Sequence, residues 1–342
     1  MSAIPWRQIV TRGVLLALGA VSLYYLLPQI LAVFEQAPRL ENVKWRWFFL
    51  MAALMTGAFA AQWQLTRIAV PGVSWFVAAT SQLSSNAATK VTPGGAMVGG
   101  ATYFQMLSVS GVPPGQAAAA LAAVSFLSTL VLLSLPGVAV AIAALSAPIP
   151  QGLLPVAVAG TLLFVVMFAG VVVLVRFNKP LCLLGRIVEV TVKWFAQRFH
   201  KPWKLTAESF VQRRDEVVAA LGKRWRIALA AAVVNWMLDY LTLVVALIAI
   251  GAEPRPSLVL LAFAASAVLG MIPITPGGLG FVEAGLTAML TLAGIPATDA
   301  LLATLAYRMF QYWLPIPAGF FAYLLFRRRY GRPSDLPSPS EA

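Results

Sequence analysis

Apolar runs that match the thickness of a bilayer recur along the chain, and this feature limits the possible folds more than any other. An α-helix needs about 20 mostly apolar residues to cross the hydrocarbon core of a membrane. The full-length runs are residues 13–34, 47–68, 116–145, 153–175, 227–250 and 299–326. With 60% hydrophobic and 11% charged residues, the chain has too few polar side chains to cover a soluble domain. The sequence therefore predicts an all-α, polytopic membrane protein.

The net charge of +13 lies mainly at the flanks of the apolar runs. Lys and Arg gather at the N-terminus, in a central segment at residues 177–226, and in an arginine cluster at residues 327–329. Basic flanks face the cytoplasm in most membrane proteins, where they meet anionic lipid headgroups. The positive charge is therefore explained by topology, and we expect membrane lipids rather than nucleic acid as partners. The central segment mixes charged and apolar residues at helical spacing, which predicts an amphipathic helix on the cytoplasmic face. Residues 1–329 then form a single membrane domain, and the Pro- and Ser-rich residues 330–342 are expected to be disordered.

The chain contains one cysteine, Cys182, and one histidine, His200. A single thiol excludes an internal disulfide, and a single imidazole excludes a histidine-rich zinc or haem site. We expect neither a cofactor nor a metal.

Two sequence breaks interrupt short apolar segments. The first break is Thr92-Pro93-Gly94-Gly95, between arms at residues 73–90 and 96–110. The second is Thr275-Pro276-Gly277-Gly278, between arms at residues 257–272 and 279–293. Proline removes a backbone donor, and glycine permits backbone angles that other residues resist. We call the two sets the first and second arm pairs. They are predicted to be re-entrant hairpins, with two steep short spans as the alternative.

The two breaks belong to an internal repeat with an offset of 276 − 93 = 183 residues. Nine of the 22 positions between Thr92 and Pro113 are identical to their counterparts, where about two would match by chance. Three full spans separate the breaks, and an odd number reverses orientation. The sequence thus predicts inverted repeats at residues 47–146 and 227–326, with both termini cytoplasmic. Many transporters are built from such repeats with broken helices.

Each break begins a new half-helix, whose free amide groups and dipole favour an anion. Glu283 follows the second break by about one turn, and its counterpart in the first repeat is Gly100. The first repeat therefore has no carboxylate at this position, so the repeated fold does not require one. A carboxylate inside a membrane indicates a functional site, while a buried structural hydrogen bond is the alternative.

Other polar side chains lie within the apolar segments. Gln82, Asn86 and Lys90 recur every four residues, which places them on one helical face. This face could line a watery groove or bond neighbouring helices, and Lys90 could instead reach the cytoplasmic surface. Asp239 and Arg308 are further deep charges, and we expect them to pair with each other or with Glu283 and Lys90. A structural ion pair and a transport role remain equal alternatives for these two residues.

The two Pro-Gly-Gly breaks, the run Pro276-Gly277-Gly278-Leu279-Gly280 followed by Glu283, and Asp239 in the preceding span resemble one family. It is the lysylphosphatidylglycerol synthase transmembrane region family, and the resemblance covers about residues 47–326. It implies a flippase-like membrane region that in some members is fused to a cytoplasmic aminoacyl-lipid synthase. The 342 residues leave no room for that synthase, so the resemblance implies lipid flipping rather than synthesis.

The sequence therefore predicts a lipid transporter, a flippase of the bacterial inner membrane rather than an enzyme. Its expected substrates carry an anionic or aminoacylated headgroup, and a homo-oligomer is compatible with this interpretation. The predicted substrate-binding residues are Glu283, Asp239, Arg308, Lys90, Asn86, Gln82, Pro276, Gly277, Gly278, Pro93, Gly94 and Gly95. Two alternatives stay open: a scaffold or accessory subunit for a lipid-modifying enzyme, and a transferase acting on lipid-linked precursors.

Overall fold

The structure is a computed structural model that describes residues 45–92, 95–146, 151–177, 186, 215, 222–271 and 275–331. Every regular element in these residues is helical. The helices are α1 Trp45–Ala69, α2 Trp75–Val91, α3 Gly95–Val109, α4 Pro114–Ser146, α5 Leu154–Arg176, α6 Trp225–Ala249, α7 Pro256–Leu269, α8 Phe281–Leu292, α9 Ala297–Arg308 and α10 Pro315–Tyr330. Short 3₁₀ turns cover Gly222–Arg224 and Pro276–Gly278, and a π-helical turn covers Met309–Trp313. The predicted all-α membrane fold is confirmed at this level.

Four helical stretches in the described part are long and apolar enough to cross a membrane. They are α1, α4 over Pro114–Ala143, α6, and the continuous stretch Ala297–Tyr330 that contains α9, the π-helical turn and α10. α5 is apolar as well, over Leu154–Gly170. Because a helix pairs most of its backbone groups internally, each stretch can lie in lipid.

The arms of both arm pairs are short helices with boundaries that follow from their sequence. α2 begins after Ser74, whose hydroxyl accepts from the Val77 amide at 3.2 Å, and ends at Thr92. Thr92 has an extended backbone, as expected for a residue that precedes proline. α7 begins with Pro256 in its first turn, where the missing amide hydrogen costs nothing. α8 has 12 residues and is therefore about 18 Å long, too short to cross the hydrocarbon core.

The last predicted span, residues 299–326, differs from a regular helix. Its middle is the π-helical turn, in which the Leu314 amide donates to the Met309 carbonyl five residues earlier. Pro315 follows directly and begins α10. π-helical turns inside α-helices are rare and are frequent at functional sites.

Helix packing places each arm pair against its own part of the core. α1 packs along α6, α2 packs against α3 and α10, and α7 packs against α8 and α4. One apolar cluster joins the first arm pair to the later half of α1 and the first half of α4. A second cluster joins the second arm pair to α6, α9 and the first half of α1.

Several predictions lie outside the described residues. They are the first span at residues 13–34, Pro93 and Gly94 of the first break, most of the central segment 177–226, and the tail from residue 332. The helix α10 ends at Tyr330, one residue beyond the predicted end of the membrane domain at residue 329.

Candidate functional site

The second break is a turn built on glycine. Gly277, Gly278 and Gly280 have φ angles of 58°, 73° and 77°, in the left-handed region that glycine adopts without a Cβ penalty. A Cβ at Gly277 would lie 2.5 Å from Cε2 of Tyr312, so an aromatic side chain fills the space beside the turn. The Thr275 hydroxyl donates to the Leu279 carbonyl at 2.8 Å and closes the turn.

Glu283 lies in the first turn of α8, where the helix dipole favours a negative charge. Its Oε1 accepts from Nε of Arg308 at 2.7 Å, and only 5–6% of either side chain is exposed. Its Oε2 is buried and has no hydrogen-bond partner among the described residues. The second break thus presents a carboxylate with one oxygen paired and one oxygen unpaired.

Arg308 is the last residue of α9 and reaches three different segments. Besides Glu283, it donates from Nη1 to Oε1 of Gln311 at 3.0 Å and from Nη2 to the Gly277 carbonyl at 3.4 Å. Its guanidinium lies 4.4 Å from the centre of the Tyr312 ring, a distance typical of a cation–π contact. Arg308 therefore ties the second break to the π-helical turn.

Lys90 approaches the same turn from the first arm pair. Its Nζ donates to the Gln311 carbonyl and lies 5.4 Å from the centre of the Tyr312 ring. The Tyr312 hydroxyl donates back to the Lys90 carbonyl at 2.9 Å. Lys90 is 8% exposed and makes no ion pair with a described residue. We call Lys90, Glu283, Arg308, Gln311 and Tyr312 the charged cluster.

Asp239 contacts this cluster indirectly. Its Oδ1 accepts from the Tyr307 hydroxyl at 2.9 Å, and Tyr307 immediately precedes Arg308. The expected ion pair of Arg308 is thus formed with Glu283, whereas Asp239 is satisfied by a neutral hydroxyl. Asp239 lies in α6 beside the cluster rather than within it.

The remaining members of the polar face on α2 have other surroundings. Gln82 accepts from the Trp63 indole at 3.2 Å and thereby joins α2 to α1. Oδ1 of Asn86 is buried and has no partner in the described part of the chain. Gly95 is the first residue of α3. The Pro276 side chain is not among those that the structure describes. The structure thus brings Lys90, Glu283, Arg308 and the Gly277 carbonyl together, whereas Gln82 contacts Trp63 of α1 and Gly95 lies against the Thr89 backbone of α2.

Three residues of the site, Tyr307, Gln311 and Tyr312, are not among the substrate-binding residues that the sequence predicts. One sequence signal points to Gln311 and Tyr312: they lie three and four residues after an intramembrane arginine, on the same helical face, and Pro315 then interrupts the backbone hydrogen bonding.

A cavity of about 750 Å³ lies between the first arm pair and α10. Its walls are formed by the second half of α2, the middle of α3 and the first half of α10, and they include Ser84, Val91, Gln105 and Phe320. Phe320 is 59% exposed, so the cavity opens on the outer face of α10. Its size and mostly apolar walls are typical of small-molecule sites.

In a comparison with protein families, a family model described as the lysylphosphatidylglycerol synthase TM region matches residues 10–319. No curated protein matches the chain.

Proposed function

The chain belongs to the lysylphosphatidylglycerol synthase transmembrane region family, and from this premise we propose that it is a lipid flippase. The proposed location is the bacterial inner membrane, with both termini in the cytoplasm. The observation that carries the proposal is the charged cluster, which joins the two arm pairs at one buried point.

Two features support an arrangement in inverted repeats. The sequence repeats with an offset of 183 residues around the two breaks. The helix contacts are compatible with a repeat as well, because α2 packs against α10 and its counterpart α7 packs against α4, the corresponding helix of the other half. α1 and α6, the first helices of the two halves, pack against each other. Such pairs of repeats can rock about a shared axis and open a central site to either side of a membrane.

The cluster chemistry supports a polar headgroup as the moving part. Lys90 is a buried cation without an ion pair in the described part of the chain, and it can meet a phosphate. Oε2 of Glu283 is a buried acceptor without a donor there, and it can meet an amine or carry a proton. Groups of both signs suit a phospholipid with an anionic or aminoacylated headgroup.

The cavity beside α10 supports a lipid rather than a soluble substrate. It is bounded by α2, the helix that carries Lys90, and it opens where Phe320 is exposed. An acyl chain can occupy this cavity while the headgroup reaches the cluster. A methylene group that leaves water for an apolar site gains about 0.8 kcal/mol of binding free energy. An acyl chain that enters the cavity from the lipid phase gains little, because it is already in an apolar environment. The headgroup therefore supplies most of the selectivity.

The test is lipid translocation in reconstituted vesicles. The full chain is incorporated into vesicles that contain a fluorescent phospholipid, and a membrane-impermeant quencher reports the lipid that reaches the outer leaflet. We expect Glu283→Gln to slow translocation by roughly 10-fold or more, because the amide cannot carry the charge or proton of the carboxylate.

Glu253→Gln is the matched control. Glu253 is an exposed acid in the loop between α6 and α7, and it lies outside the cluster. Unchanged translocation by the Glu253 variant together with slow translocation by the Glu283 variant supports the proposal. Equal translocation by wild type, both variants and empty vesicles refutes it.

A further inference from the structure

The π-helical turn offers a backbone carbonyl that a regular helix would not offer. Pro315 has no amide hydrogen, so the carbonyl of Gln311, four residues earlier, lacks the donor that an α-helix supplies there. Nζ of Lys90 donates to this carbonyl from a position 221 residues away in sequence. The proline therefore explains why a charged side chain of α2 is bound at this turn.

A second hydrogen bond runs in the opposite direction between the same two segments. The Tyr312 hydroxyl donates to the Lys90 carbonyl at 2.9 Å, in the last turn of α2. Carbonyls in the last turn of a helix lack intrahelical donors. Each segment thus satisfies a carbonyl of the other, and the two bonds hold the end of α2 against the turn.

The same two residues also hold Arg308. Oε1 of Gln311 accepts from Nη1 of Arg308 at 3.0 Å. The Tyr312 ring lies 4.4 Å from the guanidinium and 5.4 Å from the Lys90 ammonium. Gln311 binds one cation through its side chain and the other through its backbone, while Tyr312 contacts both cations through one ring. The positions of Lys90 and Arg308 are thereby fixed relative to each other.

We propose that Gln311 and Tyr312 are positioning residues that hold Lys90 and Arg308 as one unit, and that the π-helical turn connects the movement of the two arm pairs. Arg308 carries the connection to the second break through Glu283 and the Gly277 carbonyl. Lys90 carries it to the first arm pair. Pro315 contributes to this connection because it leaves the Gln311 carbonyl free to accept from Lys90.

The test measures the chemical accessibility of Lys90 and does not require transport. The purified full-length chain is treated with an amine-acylating reagent, and mass spectrometry gives the acylation rate of Lys90 relative to the other lysines. Tyr312→Phe keeps the ring and removes the hydroxyl. Pro315→Ala restores an amide that competes for the Gln311 carbonyl. One hydrogen bond is typically worth about 1 kcal/mol, so we expect each variant to raise Lys90 acylation by about 3- to 10-fold.

Matched controls exist for both substitutions. Tyr240→Phe removes another buried hydroxyl that donates to a backbone carbonyl, that of Pro256 at 2.9 Å. Pro136→Ala removes another buried proline from within a helix, here α4. Neither residue contacts Lys90, so we expect wild-type acylation in both controls.

Increased acylation in the two cluster variants alone supports the proposal. Wild-type acylation in both cluster variants overturns it, and so does an equal increase in the controls, which would indicate general loosening. In vesicles, the same variants are expected to raise the lipid fraction for half-maximal translocation more than they lower the maximal rate. This kinetic result rests on the proposed function. A wild-type chain that moves no lipid would refute that function, while the acylation result would still decide the role of the turn.

Discussion

Loss of Arg308 is expected to be among the most destabilising single changes in the cluster. Arg308→Met keeps an unbranched side chain and removes the charge. Glu283 would then keep a carboxylate that is 5% exposed, with Oε1 deprived of its ion pair and Oε2 already without a partner among the described residues. A buried charge without a partner is far more costly than the pair itself.

The magnitude follows from the geometry of the pair. At the 2.7 Å separation of Nε and Oε1, and with an effective dielectric constant of about 20, the Coulomb attraction is about 6 kcal/mol. Relaxation and water entry recover part of this loss, so we expect Arg308→Met to cost about 3–5 kcal/mol of unfolding free energy. Glu283→Gln should cost less, about 1–3 kcal/mol, because the amide oxygen can still accept from Arg308.

A double-mutant cycle separates the pair from its surroundings. Glu283→Leu alone should also cost about 3–5 kcal/mol, because it leaves the guanidinium buried without its carboxylate. The double variant Arg308→Met/Glu283→Leu removes both charges and should be more stable than either single variant. Unfolding by sodium dodecyl sulfate in mixed micelles, followed by tryptophan fluorescence, measures all four free energies.

The sign of the coupling is the critical result. If the double variant loses as much stability as the two single variants summed, the two side chains act independently. That result would contradict the buried ion pair and the pairing of the second break with α9.

Three further predictions concern contacts around the cluster. Gly277→Ala should lower stability by about 1–3 kcal/mol, because the backbone is left-handed there and the new Cβ would lie 2.5 Å from Tyr312; a thermal unfolding assay in detergent measures the loss. Gly319→Leu should separate α10 from α2, because even a Cβ there would overlap the α2 backbone, and a lower yield of monodisperse protein would report this change. Tyr307→Phe should destabilise the chain by about 1–3 kcal/mol by removing the donor to Asp239, and the companion change Asp239→Leu should recover part of that loss.

The membrane helices and the turn at the second break were predictable because their determinants are local. An apolar run of residues 47–68 indicates a helix, and the structure has one at Trp45–Ala69. The run 227–250 corresponds to Trp225–Ala249 in the same way. Length and hydrophobicity are properties of each segment alone, and Pro and Gly restrict the backbone wherever they occur.

The π-helical turn was not predictable from periodicity. The apolar run 299–326 predicts one regular helix. A π-helical turn adds one residue to a single turn, and the spacing of the apolar residues does not show this addition. The turn is accompanied by contacts from outside the helix, such as Lys90 donating to the Gln311 carbonyl. The one local signal in this run is Pro315, whose missing amide hydrogen leaves the Gln311 carbonyl without a helical donor.

The charged residues could be identified from sequence, but their partners could not be assigned. Any charge within an apolar segment must find a partner, so Asp239, Glu283 and Arg308 were candidates without a structure. Arg308 could have paired with either acid. Packing of α8 against α9 selects Glu283, and the Tyr307 hydroxyl satisfies Asp239 instead.

The three charged residues of the cluster have uncharged counterparts in the other half of the sequence repeat, and this difference distinguishes what the fold requires from what the site requires. At the offset of 183 residues, the position of Glu283 corresponds to Gly100, that of Arg308 to Ser125, and that of Lys90 to Pro273. Helices at corresponding positions of the proposed repeat nevertheless contact each other, α2 with α10 and α7 with α4. Because one half forms these contacts without the charges, the packing of the arm pairs does not require them. The desolvation of three charged groups is then a cost that the scaffold alone would not impose, and the proposed lipid-binding role of the cluster would account for it.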